Sequence, residues 1–164
     1  MNKKHTYYLS LGGNEGDKVG FLQQAKKVLL ERGNTLISES AFYQTEPFEM
    51  EEGTEPFINQ ALIIESKLDP IDFLNLTKKI EKSIGRINKG EKKSRNIDID
   101  ILFCDDLVIQ SKNLNIPHPE MVKRNFVIIP LEEICPNLNH PILNKSITEI
   151  AQSLKDNHWI KKLD

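Results

Sequence analysis

Between Ile97 and Phe103 the chain reads Ile-Asp-Ile-Asp-Ile-Leu-Phe, an aliphatic residue alternating at first with an acid. Side chains on a strand point alternately to its two faces. This period of two therefore predicts a strand that buries one set of residues and presents Asp98 and Asp100 on the other side. Ile97, Ile99, Ile101 and Phe103 are assigned to the core face. They also fix the register, because a slip by one residue would drive both carboxylates into the core. Residues two apart on a strand are roughly 6.7 Å apart at Cα. Carboxylates so spaced can converge on two hard cations about 3.5–4 Å apart. Mg²⁺ suits such a pair, since it takes few protein carboxylates and fills its shell with phosphate oxygens and water. On this motif alone, a solvated acidic strand face is the commoner outcome.

The segment just before the strand changes that balance. From Arg86 to Arg95 there are five cations (Arg86, Lys89, Lys92, Lys93, Arg95) and one anion, Glu91, a local net charge of +4 in ten residues. The whole chain carries 22 Lys+Arg against 24 Asp+Glu, a net −2. It lacks the basic excess of a general nucleic-acid binder. A cationic loop running directly into paired acids reads as a polyphosphate site. Arg86 and Arg95 can make bidentate, charge-assisted contacts, and the lysines act as mobile point charges. Gly12-Gly13-Asn14-Glu15-Gly16-Asp17-Lys18 does not have the spacing of a nucleotide P-loop and reads as a tight strand-to-helix turn. His118 lies between Pro117 and Pro119, which stiffen its backbone; without company a lone histidine is more often structural.

The remaining pattern sets the architecture. Thr6 to Gly12 reads as a strand, followed by a helix from Lys18 to Arg32 with Asp17 as N-cap and Gly33 at its end. A second strand is predicted over Leu36 to Thr45 and a third over Phe57 to Ser66. Asp69-Pro70 opens a second helix with Ile71, Leu74, Thr77, Ile80 and Ile84 on one face. Asp105-Asp106 makes a turn into a return strand, Leu107-Val108-Ile109. A last helix is predicted from Ser146 to Lys155, with Glu149 completing a capping box. Strand, helix, strand, strand, helix, strand is the order of a ferredoxin-like α+β sandwich, with a mainly antiparallel sheet and helices on its faces. The 164 residues are expected to form one domain, 38% hydrophobic and 28% charged. The apolar stretches, such as Phe126-Val127-Ile128-Ile129, are too short to span a membrane. No signal segment opens the chain, and Cys104 and Cys135 read as reduced thiols, so a cytoplasmic location is expected. The chain is further expected to be a monomer with no membrane or nucleic-acid partner, although its residues leave the oligomeric state open.

These residues resemble the 6-hydroxymethyl-7,8-dihydropterin pyrophosphokinases of folate biosynthesis. The most specific part is Arg95-Asn96-Ile97-Asp98-Ile99-Asp100-Ile101, similar to the family's Arg-x-x-Asp-x-Asp-Ile signature, followed by Ile116-Pro117-His118-Pro119. Leu9-Ser10-Leu11-Gly12-Gly13-Asn14, Phe42-Tyr43-Gln44-Thr45, Phe57-Ile58-Asn59-Gln60-Ala61 and Pro130-Leu131 extend it over nearly the whole chain. The resemblance implies transfer of pyrophosphate from ATP to the pterin hydroxymethyl group, leaving AMP, with nucleotide binding first. It implies two Mg²⁺ ions on Asp98 and Asp100, and catalytic roles for Arg86, Arg95, Asp98 and Asp100. Nucleotide contacts fall on Glu81, Arg86, Lys89, Arg95, the Ile101 backbone, Asn115, His118 and Arg124. The pterin is expected between Phe57 and Phe126, with Thr45, Asn59, the Phe48 backbone and Asp98 at its polar edge.

Several positions depart from the family pattern. A lysine, Lys92 or Lys93, stands where the basic loop often has tryptophan, and Phe57 stands for a tyrosine. Lys78 replaces a glutamine, while Asn113, Asn115 and Pro119 replace an arginine, a threonine and a tyrosine. Two other readings start from the same residues. A ferredoxin-like RNA-binding module would need stacking aromatics where this strand carries Asp98 and Asp100. A metal-dependent phosphohydrolase would consume ATP with no pterin.

Overall fold

The computed structural model describes residues 3–47, 50, 52–85 and 96–164. Its elements follow in order: β1 (His5–Gly13), α1 (Lys18–Glu31), β2 (Thr35–Glu39), β3 (Tyr43–Thr45), β4 (Phe57–Ser66) and α2 (Pro70–Ser83). After them come β5 (Asp98–Cys104), β6 (Ile109–Gln110), β7 (Asn115–Ile116), α3 (Asn125–Ile134), α4 (Ile147–Gln152) and β8 (Ile160–Lys162). The main sheet runs β5-β1-β4-β3-β8, with β2 also on β4, and every pairing in it is antiparallel. The expected ferredoxin-like α+β fold is the fold observed, with one additional strand, β8, on the β3 edge.

Alternation along β1, β4 and β5 divides the core in two. Tyr7, Leu9 and Leu11 of β1, Ile58, Leu62 and Ile64 of β4, and Ile99 and Ile101 of β5 pack with α1 and α2. Ala61, Leu102 and Phe103 join Val127, Ile128 and Leu131 of α3 and Ile147 and Ile150 of α4 on the other face. Tyr7 and Phe73 stack with centroids 3.9 Å apart and planes 5° from parallel. The Tyr7 hydroxyl donates to the Leu68 carbonyl at 2.6 Å, so the ring is buried with its polar tip satisfied.

Local chemistry sets the helix ends as expected. The Asp17 side chain accepts from Gly20 N–H at the start of α1. Gly33 follows its C-cap with φ +87°, a conformation that costs other residues strain. Ser146 and Glu149 form the reciprocal capping box of α4. That helix stops at Gln152, short of the expected Lys155.

Four expectations about elements need correction. Phe103 lies on the α3 side, not with Ile97, Ile99 and Ile101, because the register with β1 slips between Tyr8 and Leu9. The extra residue, Leu102, makes a bulge that flips the alternation after Ile101. The strand predicted over Leu36–Thr45 is two strands, because Ser40 breaks it. Its Oγ accepts from Ala61 N–H at 2.9 Å and its N–H donates to the Ala61 carbonyl, so a side chain enters the ladder. Ile71 is 50% exposed. It stands nine residues before Ile80, about half a turn away at roughly 100° per residue, and so off the buried stripe.

The return strand is the fourth. Leu107 and Val108 do not pair with β5, and Ile109–Gln110 pairs with Asn115–Ile116 as a separate ribbon. Asp105, at φ +51°, turns the chain away. Its carboxylate accepts from Thr6 N–H at 2.8 Å and meets His5 Nδ1 at 2.7 Å, contacts that offset the left-handed backbone. His5, Cys104 and Asp105 thus gather at the end of the sheet remote from Asp98.

α3 is tied to the β3 edge by Glu133. Its carboxylate accepts from the Tyr43 hydroxyl at 2.5 Å and from Ala41 N–H at 3.0 Å, and Lys162 Nζ lies 3.5 Å away. Burial alone would push this carboxyl up, but those three partners together hold it below the usual range. A depressed folded pKa contributes stability above the unfolded value and loses it as pH falls through the folded one. Urea unfolding of Glu133→Gln at pH 7 is therefore expected to show a lower midpoint than the unaltered chain. The gap should hold to about pH 5 and close below the ordinary glutamate value of about 4.3. A gap that ignores pH would exclude the charge as its source.

Candidate active site

Asp98 and Asp100 stand on β5, both half-buried, opposite Gly12 and Ser10 of β1. Across β1, Gly12 also pairs with Asn59 of β4, and Asn59 pairs with Tyr43 of β3. Directly opposed residues of an antiparallel pair share a face. Tyr43, Asn59 and Asp98 therefore form one row on the α3 side of the sheet, with Gly12 as the gap between amide and carboxylate. A Cβ at Gly12 would fall 2.3 Å from Asn59 Oδ1, so the row closes only with glycine there.

Thr45 and Phe57 make the next row toward the same end of the sheet. The Asn59 amide donates to Thr45 Oγ1 at 2.6 Å, and both side chains are buried. A buried amide in such a bond is held in one orientation, which prepares its carbonyl oxygen and the threonine hydroxyl to present a fixed pattern. Phe57 is half-buried on that face. Phe126, in the first turn of α3, is also half-buried and packs against the second core cluster. The Arg124 guanidinium carbon sits 5.7 Å from the centre of the Phe126 ring. The sheet thus brings Thr45, Phe57, Asn59, Asp98 and Asp100 onto one face, and α3 sets Arg124 and Phe126 on the same side.

Among the described residues, the others of the expected nucleotide set, Glu81, Ile101, Asn115 and His118, lie around β5 or line the cavity beside it. Ile101 is buried, its side chain in the α1/α2 core. Glu81 comes from α2, on the opposite side of the sheet from the two acids, and is only 3% exposed. Its Oε2 accepts from Ile99 N–H at 2.7 Å, so a buried carboxylate grips the backbone between Asp98 and Asp100. The His118 N–H donates to the Leu102 carbonyl at 3.0 Å, and its Nδ1 accepts from Glu120 N–H at 3.2 Å. His118 and Asn115 line a cavity of about 440 Å³ with His140, Val122 and Ile142. Burial holds His140 below the usual histidine pKa, and its Nδ1 accepts from the N–H groups of Ile142 and Leu143, which fits a neutral ring. Arg86, Lys89, Arg95 and Phe48 lie outside the described residues.

Some roles in the site carry no signal in the sequence. Gly12 is legible as a turn residue, not as the clearance that Asn59 needs. Glu81 is named by the family resemblance as a nucleotide-site acid, but its hold on the Ile99 N–H comes only from the packing of α2 on β5. Chemically, Asp98 and Asp100 offer the hard oxygen donors that suit Mg²⁺, on a rigid strand and with no side chain at the intervening Gly12 position of the neighbouring strand.

A family model described as 7,8-dihydro-6-hydroxymethylpterin-pyrophosphokinase matches residues 8–136. The 2-amino-4-hydroxy-6-hydroxymethyldihydropteridine pyrophosphokinase of Porphyromonas gingivalis is 42% identical over 138 residues, 82% of this chain and 92% of that protein. The protein of the same name from Aquifex aeolicus is 38% identical, over 88% of this chain and 89% of its own. A crystal structure of wild-type Plasmodium falciparum HPPK-DHPS with pterin and p-hydroxybenzoate superposes with a TM-score of 0.73 at 19% identity. That match covers 93% of this chain, which spans 42% of the Plasmodium chain. The chain therefore belongs to the 7,8-dihydro-6-hydroxymethylpterin-pyrophosphokinase family, enzymes that transfer a pyrophosphoryl group to hydroxymethyldihydropterin in folate biosynthesis.

Proposed function

We propose that residues 1–164 work as one pyrophosphokinase domain, a cytoplasmic monomer, taking the pyrophosphoryl group from ATP and leaving AMP. The observation that carries this reading is the row through Asn59, Gly12 and Asp98. Asn59 and Asp98 stand two strands apart, roughly 10 Å. That interval seats a flat heterocycle with its recognition edge at Thr45 and Asn59 and its hydroxymethyl arm toward the acids. Phe57 and Phe126 supply aromatic faces for the ring, and the Phe48 backbone adds to its polar edge.

Asp98 and Asp100 would hold two Mg²⁺ ions. When bound, these would neutralise triphosphate oxygens and polarise the pterin hydroxyl. Arg86, Lys89, Arg95 and His118 steady the phosphates, Arg86 and Arg95 where charge develops during transfer. Arg124, Asn115 and the Ile101 backbone border the nucleotide. Glu81 serves the nucleotide site from behind, holding the Ile99 N–H so that β5 keeps both acids in place. The pterin hydroxyl attacks the β-phosphorus in line, and Asp98 or Asp100 accepts its proton. Catalysis rests on positioning and charge neutralisation, as in other phosphoryl transfers.

The direct test incubates the chain with Mg²⁺ and ATP, with and without 6-hydroxymethyl-7,8-dihydropterin, and follows AMP. AMP is expected only with the pterin; equal AMP in its absence would make the chain a phosphohydrolase. Asp98→Asn and Asp100→Asn should each lower kcat by about 10²–10³-fold, the scale for losing one charge-stabilising group, with the fold retained by circular dichroism. Near-normal turnover in either variant overturns the paired-acid site. Gly12→Ala should displace the Asn59 amide and raise the pterin KM about tenfold or more, as expected for a disrupted buried hydrogen bond. An unchanged KM would show that the amide does not read the pterin.

A further inference from the structure

Residues 156–162 lie beyond the part of the chain covered by the family model, and they touch both walls of the site. At one end is Asp156, whose side chain is 2% exposed. Its Oδ2 accepts from Asn125 N–H at 3.0 Å, and its Oδ1 accepts from the His158 N–H at 3.0 Å and meets His158 Nδ1 at 2.5 Å. Asn125 returns the contact, its amide donating to the His158 carbonyl at 2.6 Å. Asn125 is the first residue of α3, and the N-cap residue, Arg124, makes no side-chain cap. A helix start leaves N–H groups without intrahelical partners and favours a negative charge. Asp156, 31 residues away in sequence, supplies both acceptor and charge.

The other end of the segment is sewn to β3. Ile160, Lys161 and Lys162 pair with Thr45, Gln44 and Tyr43. The Glu46 N–H donates to the Trp159 carbonyl at 3.0 Å, and the Trp159 N–H donates to Glu46 Oε2 at 3.2 Å. Seven residues therefore span from the α3 turn that carries Phe126 to the strand that carries Thr45. Arg124 and Phe126 flank Asn125, so the backbone that Asp156 grips is the one that aims both side chains.

We infer that Asp156 is a positioning residue for the pterin: through Asn125 and β8 it sets the separation of Phe126 from the Thr45–Asn59 pair. The inference rests on the pterin reading of Phe126 given above. Burial would push the Asp156 carboxyl up, but the Asn125 and His158 N–H groups and the His158 ring together hold it below its usual range. It is therefore ionised throughout the neutral range, as a helix-capping charge requires.

The test uses the full chain and four variants: Asp156→Asn, Asp156→Ala, Phe126→Ala and the Asp156→Ala/Phe126→Ala double. KM and kcat for 6-hydroxymethyl-7,8-dihydropterin are measured at saturating MgATP, below the melting temperature of each. Asp156→Ala is expected to raise the pterin KM about tenfold, the scale for losing hydrogen bonds to a buried charge, with kcat changed less than about threefold. Asp156→Asn keeps an oxygen for Asn125 and should fall between. The double variant should have a pterin KM no higher than Phe126→Ala alone, because Asp156 acts through that ring. A wild-type pterin KM in both Asp156 variants, or additive effects in the double, overturns the inference while leaving the pterin site intact. If Asp156→Ala does not fold, a wild-type KM in Asp156→Asn is sufficient to overturn it. A wild-type pterin KM in Phe126→Ala overturns the pterin reading and this inference with it.

Discussion

One strand cannot point the same side chain both ways, and β5 turns that restriction into a site. Its isoleucines need the α1/α2 core, so Asp98 and Asp100 have no choice of direction until the bulge at Leu102. The aliphatic burial that stabilises the strand and the orientation of the acids are thus one commitment. Because β1 lies between β5 and β4, the same register also lines up Asp98 with Asn59. A one-residue slip would separate the two acids from the Thr45–Asn59 pair as well as bury them. Glu81, gripping the Ile99 N–H from the far side, adds a polar anchor to that register.

The two faces of the sheet do different work. The α1/α2 face is closed by large apolar side chains, among them the stacked Tyr7 and Phe73. On the other face, α3 and α4 cover Ala61, Leu102 and Phe103. Beyond them toward the Gly12 end, Thr45, Asn59 and the two acids carry the polar chemistry. An apolar foundation on one face thus lies behind a polar surface on the other, with the half-buried Phe126 of α3 on that same side. The chain's membership of the pyrophosphokinase family and its ferredoxin-like architecture meet at this division.

Much of this was legible in the order of residues, and the failures have local causes. The period of two over Ile97–Ile101, the Asp17 and Ser146 caps and the span Phe57–Ser66 are nearest-neighbour patterns, and the structure carries each of them. The bulge at Leu102 was not legible, since an Ile-Leu-Phe run suits either face and only pairing with β1 decides. Ser40 looked like an ordinary strand residue until its hydroxyl met Ala61 N–H, a partner 21 positions away. Gly12 has the same character: its need is set by Asn59, which belongs to another strand. The acids announced themselves by type and spacing, while Asn59, Phe57, Phe126 and Glu81 came only through the family resemblance. The hold of Glu81 on Ile99, and the braces Glu133 and Asp156, depend on partners that tertiary packing supplies.

The strand β8 has one more effect. An open sheet ends in rows of unshared amide and carbonyl groups that invite a neighbour's backbone. Here the β3 margin is covered by three residues, two of them lysines, a short cationic hem that a second molecule would find repellent and too brief to zip onto. On the opposite margin, the acid of α2 already occupies an outward amide of β5. Where β8 and Glu81 lie, the sheet margin is thereby a poor template for strand addition by another chain.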